Sequence, residues 1–144
     1  MADLVDLLLA QPGLYTGTQQ DPTEDHPSGS VARVTVSPLP SDAGVAFDYE
    51  VHNPVNGVVH VEHTVLARTT DGIVLFAAHS HASTAVLLRE TSAGYFEPDP
   101  GASPFPMAIG IEVPEPDRIV YSWSYGAPGD DLRVRDIGTF RRVR

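Results

Sequence analysis

Cysteine is absent from the 144 residues. That removes disulfide cross-links, zinc–thiolate sites and thiol nucleophiles. Lysine is absent too, since all nine basic residues are arginine, and with it goes any mechanism built on a lysine Schiff base or lysine general base. Basic residues are scarce against nineteen acidic ones, which leaves a formal net charge of −10. Binding to a phosphate backbone needs clustered positive charge, so no nucleic-acid partner is expected, and no anionic membrane surface either. No apolar run approaches the roughly 20 residues of a membrane-spanning helix. The stretch from Met1 to Ala10 is apolar but carries Asp3 and Asp6 where a secretory leader wants positive charge. The expectation is a cytoplasmic protein.

What is present reads as one β-rich domain over residues 1–144. A chain of this size buries roughly 70% of its unfolded surface and needs no staples, and an apolar fraction of 42% argues against disorder. Asp3 can cap a short helix carrying Leu4, Val5, Leu7, Leu8 and Leu9, stopped by Pro12-Gly13. So many leucines must be covered, and a plug over one end of a barrel would cover them. Short strands follow, divided by turn signals. Val45, Phe47, Tyr49 and Val51 alternate with Ala46, Asp48, Glu50 and His52. Asn53-Pro-Val-Asn-Gly57 is a strong turn. Asp71-Gly72 between two apolar runs is a hairpin signal. Residues 57–91 form the central meander, and Ile119, Tyr121, Trp123 and Tyr125 share one face near the C-terminus. Roughly ten short strands without a helical crossover predict an all-β, antiparallel up-and-down β-barrel with a short N-terminal helix.

Gly13, Tyr15 and Gly17 near the start, and Gly138-Thr-Phe-Arg-Arg142 at the end, carry a resemblance. With the strand number and order they make the chain resemble calycin-superfamily barrels of the nitrobindin-like and fatty-acid-binding-protein-like kinds. The resemblance implies an interior cavity for a small, largely apolar molecule. It also implies that Arg142, on the last strand, could hold a ligand carboxylate as in fatty-acid-binding proteins; fraying at the surface is the other reading. Nitrobindin-like proteins carry tryptophan where this chain has Tyr15, and they bind haem through a C-terminal histidine. No histidine follows His81 here, so that ligand is not carried over, and no cofactor is assigned.

Four of the six histidines lie in the meander. His79 and His81, two apart on a strand, would sit about 7 Å apart on one side. With His63 from a neighbouring strand they could ligate a metal; the plainer alternative makes them polar rim residues. Val59, Val61, His63, Val65 and Ala67 form the more apolar face of their strand, so His63 is expected to point inward and His60 and Glu62 outward. Tyr121, Trp123 and Tyr125 could wall a cavity or simply fill the core. The proline-rich loop 98–106 and the loop around His26 are candidate frames for an entrance. The expected function is non-enzymatic binding of a small apolar molecule, with His63, Tyr49, Phe76, His79, Tyr121, Trp123, Tyr125 and Arg142 as candidate ligand-binding residues. The alternatives are a metal-dependent or isomerase-like enzyme using His63, His79 and His81, and a homodimeric interaction module meeting through edge strands or the Leu4–Leu9 helix.

Overall fold

A computed structural model describes residues 2–22 and 29–144; the expected entrance loop at His26 lies outside them. The chain forms one helix, α1 (Leu4–Leu9), and ten strands: β1 (Gly13–Gln20), β2 (Val31–Pro38), β3 (Gly44–Asn53), β4 (Gly57–Thr69), β5 (Gly72–His79), β6 (Val86–Ser92), β7 (Tyr95–Pro98), β8 (Met107–Glu112), β9 (Arg118–Tyr125) and β10 (Arg133–Arg142). Each strand pairs antiparallel with the next, and β10 returns to β1, closing an antiparallel barrel. Strand periodicity explains the interior. Val34 and Val36, Phe47, Tyr49 and Val51, and Ile119 and Tyr121 are all buried, while their neighbours in sequence turn outward.

The seam between β1 and β10 runs from Tyr15 opposite Arg142 to Gln20 opposite Ile137. It demands a close approach at Gly17. A Cβ built there would stand 1.7 Å from the Thr139 carbonyl oxygen, so only glycine fits between these backbones.

The helix seals one end of the barrel. Asp3 accepts from the Asp6 amide at 2.9 Å, and the Asp6 carboxylate accepts from the Asp3 amide at 3.3 Å. Arg68 on β4 pins both carboxylates. Leu4, Val5 and Leu8 face the core. The helix cannot serve as a dimer interface through Leu8, because that side chain is fully buried under the barrel wall. Closure also leaves no open sheet edge among the described strands, so the expected edge-strand interface is not on offer.

Candidate functional site

The opposite end of the barrel is built differently. There β4 turns His60, Glu62, Thr64 and Leu66 inward, all of them buried. The expectation for His60 and Glu62 was a surface and for His63 the interior; the structure reverses it. The His63 side chain is 70% exposed and its Nδ1 lies 2.5 Å from Asp48 on β3. A barrel's outer wall tolerates valine, so counting apolar residues picks the wrong face. Polar residues inside are acceptable when each finds a partner, and here they do. Glu62 accepts hydrogen bonds from the Tyr121 hydroxyl and from Thr64 Oγ1 at 2.6 Å, and His60 Nε2 lies 3.2 Å from its other oxygen. Burial above all, and then the neighbouring charge of Glu62, holds the Tyr121 phenol well above its usual range. Tyr121 therefore remains a donor to that carboxylate.

Three imidazoles gather above this network. Counting back from the Thr69–Gly72 turn, β5 pairs with β4 so that His79 stands opposite Glu62. The turn after β5 is clamped to Val61, whose amide donates to Ser80 Oγ at 3.0 Å and whose carbonyl accepts from the Ser80 amide at 2.9 Å. That clamp sets His81 beside His60, with ring centroids 5.0 Å apart and planes 22° apart. His79 lies 6.1 Å from each of them. Trp123, delivered by β9, meets His79 edge to face at 5.1 Å.

These side chains line a cavity of about 520 Å³, with Tyr125, Phe105, Val51 and Val59 as further apolar wall and Arg135 and Asp136 from the start of β10. Of the expected residues, His79, Trp123 and Tyr125 line it. Tyr49 and Tyr121 pack together beneath, centroids 5.3 Å apart, and the Tyr49 hydroxyl donates to Gln19. Phe105 brings the expected proline-rich loop to the cavity. Three expectations are corrected. His63 is outside the barrel. Phe76 is 49% exposed, because it has the opposite parity to the inward Leu75, Ala77 and His79. Arg142 lies at the helix end, paired with Asp117. The metal triad of His63, His79 and His81 therefore does not form, and no group of three His, Asp or Glu side chains among the described residues is arranged to hold a metal ion. Neither β9 nor β10 carries a histidine, so the C-terminal haem ligand of nitrobindin-like proteins has no counterpart at this cavity.

His63→Ala should leave stability within about 0.5 kcal/mol of the parent, since it removes only an exposed contact with Asp48. A urea midpoint displaced by several times that would contradict the outward placement.

His79 carries a pH dependence of its own. Burial holds its imidazole below the ordinary value of 6.5; Glu62 opposes this, while His60 and His81 add to it. The folded protein therefore binds this proton less readily than the unfolded chain does. The stability it contributes is intact above pH 6.5 and is lost as pH falls through the lowered folded value. His79→Gln should weaken the decline in urea midpoint below pH 6.5. An unchanged decline would assign it to other groups.

No family model and none of the curated proteins matches the chain. Among solved structures it is similar to the crystal structure of Rv2717c from M. tuberculosis, with a TM-score of 0.67 and 18% identity over 99% of this chain and 100% of that one. The likeness is one of fold: a closed antiparallel barrel over the whole length.

Proposed function

We propose that the chain is a non-enzymatic, calycin-like binding protein for a small, largely apolar molecule, held in the cavity opposite the helix. One observation carries this reading. The barrel keeps about 520 Å³ of space at that end, within the roughly 300–1,000 Å³ usual for small-molecule sites. The wall suits such a ligand, with Trp123, Tyr125 and Phe105 for apolar contact and a few imidazoles to orient it. A closed meander of ten strands supports the calycin-like reading. The net charge of −10 supports a partner that is neither nucleic acid nor anionic membrane. A cytoplasmic location belongs to the same proposal.

Trp123 is the only tryptophan, so its fluorescence reports on the cavity wall. Native mass spectrometry of freshly purified protein is expected to find a retained small-molecule mass, and flat apolar probes are expected to change Trp123 emission. Bare protein whose emission no such probe alters overturns the reading.

A further inference from the structure

Three buried side-chain nitrogens lack a hydrogen-bond partner among the described residues: His79 Nε2, Trp123 Nε1 and Arg118 Nε. Arg118 begins β9, at the helix end. The other two belong to neighbouring rings in the cavity wall. Their hydrogen-bonding character is settled by chemistry. An indole N–H can only donate. His79 Nδ1 accepts from the His81 amide at 3.3 Å, so the neutral ring carries its proton on Nε2 and donates there as well. Burial favours that neutral ring. Two adjacent donors without an acceptor carry an uncompensated desolvation penalty, which a partner arriving from the cavity would remove.

The charges around them bear on the kind of acceptor. Glu62 lies behind His60, and Asp21 and Asp136 line the cavity. Against them stands Arg135, which is turned to the Tyr125 carbonyl by a 3.0 Å hydrogen bond from its Nε. An anionic ligand would meet three carboxylates and one guanidinium among these groups, in a chain of net charge −10. A neutral oxygen carries no such charge and offers the two N–H groups the acceptor they lack.

We propose, resting on the binding reading above, that the ligand is an uncharged, flat molecule bearing one carbonyl-type oxygen, which Trp123 Nε1–H and His79 Nε2–H hold between them. The aromatic wall takes the apolar body, and the two donors set which end enters first. This excludes fatty acids and other carboxylates as preferred ligands and favours ketones, lactones or amides on an aromatic or alicyclic frame.

Calorimetric titration of the full chain with three probes of one shape tests this: methyl naphthyl ketone, isopropenylnaphthalene (a methylene in place of the oxygen) and naphthoate. The ketone is expected to bind about tenfold or more tightly than the hydrocarbon, the difference that one well-made hydrogen-bond set supplies. Naphthoate is expected to bind more weakly than the ketone. Trp123→Phe and His79→Phe should each reduce ketone affinity by a larger factor than hydrocarbon affinity, so that the ratio between the two falls towards one. The probe comparison on the parent protein stands even if a variant fails to fold. Equal binding of ketone and hydrocarbon, or a preference for naphthoate, overturns the acceptor assignment and leaves cavity binding standing. Binding of none of the three overturns the cavity reading and this inference with it.

Discussion

Gly17→Ala is expected to lower stability by about 4 kcal/mol or more, the range reached only when a substitution breaks something the backbone cannot relax. The added Cβ would lie 1.7 Å from the Thr139 carbonyl oxygen, 2.7 Å from the Thr139 carbonyl carbon and 2.9 Å from Phe140 Cα. Every one of these is backbone, so no side chain can swing away. Relief requires β10 to move off β1, and β10 is held in register from Arg142 to Ile137 by that same pairing. Phe140, opposite Gly17, is fully buried, so moving the seam also opens the core. Urea unfolding followed by Trp123 fluorescence measures the effect. Thr16→Ala next to it is the control, because Thr16 is exposed and should change stability by less than about 0.5 kcal/mol. Equal midpoints for the two variants would refute the close approach.

The second large effect belongs to Glu62. Glu62→Ala is expected to cost about 3 kcal/mol or more, because it orphans several donors at once and leaves a hole in the wall. The Tyr121 hydroxyl and Thr64 Oγ1 would lose their acceptor, and His60 Nε2 its partner. Glu62→Gln keeps the volume and one acceptor oxygen, so it should cost less. The informative comparison is Glu62→Leu with Tyr121→Phe. Replacing both ends of a buried polar contact by apolar groups is often nearly neutral, whereas removing one end is not. The double variant should therefore recover part of the loss seen with Glu62→Leu alone. Strict additivity of the two would mean that the hydroxyl and the carboxylate are not coupled.

Much of the barrel was legible because strand alternation and turn chemistry are local. Val45, Phe47, Tyr49 and Val51 all turned inward as their spacing predicts, and Ile119, Tyr121 and Trp123, expected on one face, are buried together from the strand Arg118–Tyr125. The site was less legible, because a period of two says which residues share a face but not which face is inside. On β4 the apolar face is the outer one, and a buried carboxylate network decided the matter. A signal existed nonetheless. The Asp71-Gly72 hairpin sets the register of β4 against β5, and counting seven pairs back from Thr69–Gly72 brings Glu62 opposite His79. That pairing alone places Glu62 on the face of His79. The arrival of Phe105 in the cavity had no such signal, since it depends on how a proline-dense loop folds back over the mouth.

The β1–β10 seam also bears on the order in which the barrel can be made. Every other pairing joins strands that are neighbours in the chain, and can form as soon as the second strand is synthesised. The seam joins the first described strand to the last. Until β10 emerges, β1 and β9 each present an unpaired edge, and such edges recruit other chains. Gly17 can make its close approach only once β10 has been synthesised, so closure of the seam, with its large loop to tie, is expected to be the slow step of refolding.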